Sequence, residues 1–261
     1  MNGSEILLNI LKKHKVRYIF GYQSTTVEPF IDTINNFPEI QFIQIDNQQS
    51  AGFVAETYAR ASGNLGVVAI ASGLEAMELA SPMYNALRNS TPLVAFIGQS
   101  ESTLITSKGY QQADSIGVFL PITKHTVHIS NIEQFQSDVE ELITVSLSSK
   151  QGPVLLEVPK DIQLQKGNYI DNFQVNPTNL KRQIVLDQKV IEEAAGMITQ
   201  ARKPLIFCGH GVIIAKAEHE FKELIEKTGS PVACTLHGIS GFPSGHPLNF
   251  GLMGIDGHLE I

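Results

Sequence analysis

The chain has 261 residues, 43% hydrophobic and 17% charged, with a net charge of −7 and a pI near 5.6. That is enough for one large or two ordinary domains with a buried core, and the acidic balance excludes a nucleic-acid or anionic-membrane surface, both of which need clustered Lys and Arg. No apolar run reaches the ~18 residues of a membrane span, and Met1-Asn2-Gly3-Ser4-Glu5 lacks the marks of a secretory signal, so a cytoplasmic protein is expected.

Ile6, Leu7, Ile10 and Leu11 recur at helical spacing and predict a helix over 4–14, with Ser4 as its cap. Lys12-Lys13-His14-Lys15 closes that helix in keeping with its dipole. Short apolar runs predict strands at 17–20, 40–45, 66–71, 92–97 and 153–158, with helices between them near 25–36, 48–62, 75–88 and 131–147. Buried strands alternating with helices of this length read as α/β, a parallel sheet flanked by helices, over 1–161. The stretch 162–186 is polar and short of aliphatic periodicity, and reads as a linker packed along the surface. A second α/β unit occupies 187–261: helix 187–200, strand 204–208, helix 214–228 and strand 231–235. No element is read in 254–261, so this unit is expected to be cut short.

Lesser motifs read as structure. Cys208 and Cys234 each lie in an apolar run and are expected to be a reduced, buried pair rather than metal ligands. Gly209-His210-Gly211 looks like a dinucleotide turn, but Ile214 stands at the third glycine position and no acid ends the next strand, which argues against NAD. His125 and His128 alternate across a strand, and no metal-ligand spacing is found. Ser72 has no His or Asp arranged with it, so a hydrolase triad has no support.

A set of stretches, taken in order, resembles one family. They are Val16 to Tyr22, Ile45-Asp46-Asn47-Gln48-Gln49-Ser50-Ala51-Gly52, Glu56 to Gly63, Gly63 to Gly73, Ile97-Gly98-Gln99, Pro121 to His125 and Gly152 to Asp161. The second unit adds Lys203 to Ile206, Gly209 to Gly211, Thr228 to Val232 and His246 to Leu248. Their order and spacing are similar to the catalytic large subunit of acetolactate synthase, a thiamine-diphosphate enzyme, along essentially the whole chain.

The resemblance implies a thiamine-diphosphate-binding fold: an N-terminal pyrimidine-binding domain at 1–161 and part of a middle domain at 187–261. The family's third domain, which binds diphosphate and magnesium, has no counterpart here. Ile255-Asp256-Gly257 lacks the first glycine of that domain's Gly-Asp-Gly marker and reads as a turn. The family reaction is the decarboxylating condensation of 2-keto acids such as pyruvate, in branched-chain amino-acid biosynthesis. In it a glutamate bonded to N1′ of the aminopyrimidine relays the proton that activates the cofactor. That position is Gln48, an amide unable to exchange protons near neutral pH. Neither Asp46 nor Glu56 substitutes convincingly.

Other positions depart as well. Gln23-Ser24-Thr25 replaces a proline and two glycines, Ser72-Gly73-Leu74-Glu75-Ala76 replaces Ser-Gly-Pro-Gly-Ala, and Tyr110-Gln111-Gln112 replaces Phe-Gln-Glu. By resemblance, Gly21, Ser72, Gly73 and Glu75 form the cofactor-side loops, and Gln99, Tyr110, Gln111 and Lys124 the substrate side, with no metal ligand. The expectation is a family member impaired or inactive alone, weak or partner-dependent for thiamine diphosphate and magnesium, with FAD left open by the resemblance and argued against by the partial middle domain. The alternative is a non-catalytic, regulatory partner of a full-length relative. Either way the N-terminal domain is expected to pair, as a homodimer or heterodimer, or with a chain carrying the diphosphate-binding domain.

Overall fold

The computed structural model describes residues 1–105, 113–148, 150–174, 187–254 and 257. The chain forms two compact units, Met1–Arg182 and Gln183–Ile261.

The first unit opens with α1 (Gly3–Lys13). Its cap is Asn2, not Ser4: Asn2 Oδ1 accepts from the Glu5 amide at 2.8 Å, and Glu5 Oε2 accepts from the Asn2 amide at 2.8 Å. That reciprocal pair satisfies two of the amides a helix start leaves unbonded. Ser4 is buried inside the helix and donates to the Gln163 carbonyl at 3.3 Å. The basic cluster does more than complement a dipole. Lys12 pairs with Glu39, while Lys13 Nζ and His14 Nε2 lie 2.7 and 3.2 Å from the buried carboxylate of Glu140.

Next come β1 (Tyr18–Gly21), α2 (Glu28–Ile34), β2 (Gln41–Gln44), α3 (Gln48–Ser62) and β3 (Gly66–Ala71). They are followed by α4 (Leu74–Met77), α5 (Ala80–Asn89), β4 (Leu93–Gln99), α6 (Ser102–Ile105) and α7 (Ser115–Phe119). The unit continues with β5 (His125–His128), α8 (Phe135–Leu147), β6 (Pro153–Pro159) and α9 (Lys160–Leu164). The expected single helix over 75–88 is two, because Pro82 lacks the N–H that an unbroken helix would bond to Glu78.

The six strands are parallel, in the order β2-β1-β3-β4-β6-β5. Central β3, β4 and β6 are buried along their whole length, as expected where helices cover both faces. One face packs Ile6, Leu7, Phe30, Phe96 and Leu142; the other packs Ala51, Ala55, Met83, Phe119 and Leu155. Edge strands β2 and β5 keep exposed ends, which is why β5 does not register as an apolar run. The segment expected to begin a linker belongs to this unit as far as it is described. Ile162 and Gln163 are buried, Asn2 bridges Lys166, and Gln136 exchanges two hydrogen bonds with the Ile170 backbone at 2.8 and 2.9 Å.

The second unit comprises α10 (Gln188–Gln200), β7 (Ile206–Cys208), α11 (His210–Ile214), α12 (Glu218–Thr228), β8 (Val232–Cys234) and β9 (Asn249–Leu252). Its strands form a parallel sheet, β7-β8-β9, over a core of Cys208, Ile225, Val232, Cys234 and Phe242. The expected helix over 214–228 starts only at Glu218, after a turn in which Lys216 adopts φ 53°. β9 escapes sequence reading because Gly251, at φ 87°, and a register shift against β8 interrupt its alternation.

Two glycines test this packing. A Cβ at Gly21 would overlap the Ala69 carbonyl across the β1–β3 seam, whereas one at Gly196, inside α10, meets nothing within 4 Å. Gly21→Ala is expected to destabilise the first unit by ~1–3 kcal/mol or more. Gly196→Ala should stabilise the second by ~0.5–1 kcal/mol, since it removes a helix-interior glycine. Denaturant unfolding of both variants checks the opposite signs.

Candidate functional site

The strand order reverses at β1: the chain passes from β1 to β2 on one side, then crosses to β3 on the other. In parallel sheets such a reversal opens a crevice at the carboxyl ends of the strands. The turns that lead from β1, β2 and β3 all reach this edge.

Gly21 ends β1 against Ala69, so its lack of a side chain is already required by strand packing. The turn after it is closed by the Ser24 carbonyl, which accepts from the Val27 and Glu28 amides at 3.1 and 2.9 Å. Gly98 on β4 leaves room for the Thr26 carbonyl, which brings this turn across the sheet edge. Gln48 is the first residue of α3, capped by Asn47 through a 2.8 Å bond from the Ser50 amide. Gln48 is half-buried and makes no side-chain hydrogen bond to any described residue.

After β3, Gly73 adopts φ 78° and ψ −138°, a conformation closed to residues with a Cβ. It turns the chain into α4, leaving Leu74 76% exposed and Glu75 half-buried. Oxygen Oε2 of Glu75 is buried without a hydrogen-bond partner.

Gln99 and Ser72 are joined, and two residues missed by sequence reading complete the group. Ser72 Oγ donates to Gln99 Oε1 at 2.7 Å, and the Ser100 amide donates to the same oxygen at 2.9 Å. Gln99 Nε2 in turn donates to Glu157 Oε1 at 3.2 Å. His128 Nδ1 lies 2.8 Å from Glu157 Oε2, the spacing of an N–H donated to a carboxylate. Ser72, Gln99 and Glu157 are each at least 95% buried. The signal for Glu157 was available: a carboxylate inside the apolar run Val154-Leu155-Leu156-Glu157-Val158 must find partners.

Not every expected residue joins them. Lys124 precedes β5 and therefore stands at the opposite, amino edge of the sheet. Its ammonium donates to the carbonyls of Val145 and of Ser148 (2.9 Å), capping the end of α8, and Gly152 makes room for its stem. Burial holds the Lys124 amine below its ordinary range. Tyr110, Gln111 and Gln112 lie outside the described residues, as do Ile255 and Asp256. Glu56 is accounted for by the fold: it is buried on α3 and receives bonds from Asn85 and Asn89 of α5 at 2.6 and 3.3 Å. Asp46 is exposed. Among the described residues, no group of three His, Cys, Asp or Glu is placed to hold a metal, and no helix is long and apolar enough to cross a membrane. Cys208 and Cys234 are free and buried, and burial with the neighbouring sulfur pushes the Cys208 thiol up to about 11.

Lys124→Met is expected to cost ~1–3 kcal/mol by freeing the Ser148 carbonyl and removing one of the bonds to the Val145 carbonyl, with no effect on ligand binding at the carboxyl edge. Because the folded amine titrates below the unfolded one, the unfolded chain binds more protons between the two values, and stability rises with pH there. Denaturation at pH 8 and pH 10 should show the variant lacking that rise.

Comparison with known proteins follows the same division. The thiamine pyrophosphate enzyme N-terminal TPP binding domain model matches residues 1–118, and the central domain model matches residues 191–261. The chain is 30% identical over 257 residues to the acetolactate synthase large subunit of Corynebacterium glutamicum, covering 98% of this chain and 41% of that one. It is 31% identical over 257 residues to the acetolactate synthase isozyme 2 large subunit of Escherichia coli, covering 98% and 46%. It thus spans less than half the length of these relatives. A provisionally assigned thiamin diphosphate-dependent enzyme isolated from Mycobacterium smegmatis shares the fold, with TM-score 0.85 and 22% identity over 97% of this chain and 48% of that one.

Proposed function

The chain belongs to the thiamine pyrophosphate enzyme family, and on that premise we propose that the carboxyl-edge crevice of its first unit is the aminopyrimidine side of a thiamine-diphosphate site. The observation that carries this reading is the placement of Gln48. It opens a 15-residue helix at the strand-order reversal, its amide free to bond a ring nitrogen. The turn that carries Ser72, Gly73 and Glu75 leaves β3 at the same carboxyl edge of the sheet, and Gly73 carries no side chain there.

When bound, the cofactor supplies the carbanion-stabilising chemistry of 2-keto acid decarboxylation and condensation. The proposed reaction is therefore of acetolactate synthase type, on 2-keto acids such as pyruvate. This chain's residues would hold and orient the ring and exclude water around it. Gln48 holds a ring nitrogen without moving a proton, which costs ~10²–10⁴-fold in rate relative to a positioned acid. We assign diphosphate and magnesium contacts to residues outside the two matched domains. A cytoplasmic location belongs to the same proposal.

A second reading, a non-catalytic partner of a full-length relative, is favoured by the clustering of altered positions in one crevice. Ser24, Thr25, Leu74 and Glu75 add side chains there, and Val54 and Tyr84 leave apolar surface exposed on α3 and α5. Pyruvate turnover separates the readings, measured after mixing with a protein that carries a diphosphate-binding domain. Gln48→Glu should raise the rate of the mixture at least ~10²-fold if the site is catalytic. No gain supports the second reading, and turnover by the unmixed wild-type chain would sink the claim of impairment.

A further inference from the structure

We propose that Cys208 and Cys234 are a reversible dithiol–disulfide site, oxidised by a low-molecular-weight disulfide when the second unit opens and stapling β7 to β8 when it closes. The two residues are register partners on adjacent parallel strands. Neighbouring strands lie ~4.8 Å apart. That falls within the ~4.4–6.8 Å between Cα atoms that a disulfide spans. Both side chains enter the same core, beside Ile225, Val232 and Phe242, and their sulfurs lie within hydrogen-bond reach of each other. The strands thus already stand where the bond requires them. The chain has no other cysteine to compete, and among the described residues no third ligand completes a metal site around the pair.

The closed pair is inert. Neither residue is exposed, and burial holds both thiols above their ordinary range, so the nucleophilic thiolate is scarce. Access comes through Cys208, because β7 is an edge strand while β8 is paired on both sides. Cys208 is covered by the 3₁₀ turn Leu236–Gly241. A Cβ at Gly241 would stand 2.8 Å from the Cys208 sulfur, and the Cys208 S–H reaches the Gly238 carbonyl at 3.5 Å. Leu236 and Ile239 of the same turn are exposed, so little apolar contact holds this cover down.

When the cover lifts, the Cys208 thiolate attacks one sulfur of the small disulfide. A mixed disulfide forms, and one reagent thiolate leaves and takes up a proton. As the sheet recloses, Cys234 gives its proton to solvent, attacks the Cys208 sulfur and expels the second reagent thiolate. The pair loses two electrons and two protons, and the reagent gains both as it becomes two thiols. The new bond closes a loop that contains α11 and α12, which restricts the open states and favours the closed sheet. Attack by a reagent thiol reverses it, so the pair stays reduced in a reducing compartment.

The test incubates the 261-residue chain, without denaturant, in mixtures of oxidised and reduced glutathione, and reads intact mass and amide hydrogen exchange. Wild type should lose two hydrogens and retain no glutathione. Once oxidised, its exchange at Ile206–Cys208 and Val232–Cys234 should slow by about tenfold or more. Cys234→Ser should instead keep one glutathione, and should gain it faster than Cys208→Ser. The wild-type result stands whether or not these variants fold. A wild-type chain that keeps both thiols in oxidised glutathione, ends with glutathione attached, or links to a second chain overturns the site. So does an internal disulfide that forms only in denaturant. A disulfide that leaves exchange unchanged or faster overturns the staple, and faster modification of Cys208→Ser overturns access through Cys208.

Discussion

No atom fits between Gly21 and the carbonyl of Ala69, and the first unit is arranged around that contact. It seats β1 against β3 at the place where the strand order reverses. From that seam the chain runs outward to β2 on one side and through β4 and β6 to β5 on the other. The turn after β1 can then lie over Gly98, the cap of α3 can face the edge, and Gly73 can turn β3 into α4. A wider seam would separate α3 from that turn and dissolve the crevice, even with each helix and strand preserved.

Inside this frame the buried carboxylates divide into two kinds. Glu56, Glu140 and Glu157 are each enclosed and each held by named partners: asparagines from α5, a lysine and histidine from the end of α1, and the Gln99–His128 pair. Removing one partner from such a group leaves a buried oxygen short of a hydrogen bond, so these three hold elements together. Glu75 is different. Its Oε2 is shielded from water and bonded to nothing, which makes it a poor structural device. Unlike the other three, that oxygen ties no element to another.

Much of the scaffold is legible in the residues. The fully buried strands β3, β4 and β6 announce themselves as unbroken apolar runs, and α3 begins where Asn47 and Gln48 suggest. What escapes reading depends on partners distant in sequence. Ser4 looks like a cap until Asn2 and Glu5 are seen to bond each other. Lys124 looks like a site residue until the carbonyls of α8, more than twenty residues on, are found around its ammonium. Glu157 belongs with Ser72 only because β6 pairs with β4, a juxtaposition that no local pattern reveals. β5 and β9 are short, polar or glycine-broken, and become strands through the neighbours they pair with. Periodicity reports burial, and it is silent about which end of a sheet a side chain reaches.

The pairing of β7 with β8 has one more consequence. It sets Cys208 directly beside Cys234 in the core of the second unit, and the chain has no other cysteine. A thiol reagent in solution therefore has no target on the first unit and none on the surface of the second. Labelling becomes a clock for one event alone, the opening of the small sheet, read chemically on the unlabelled native chain while the larger unit stays dark.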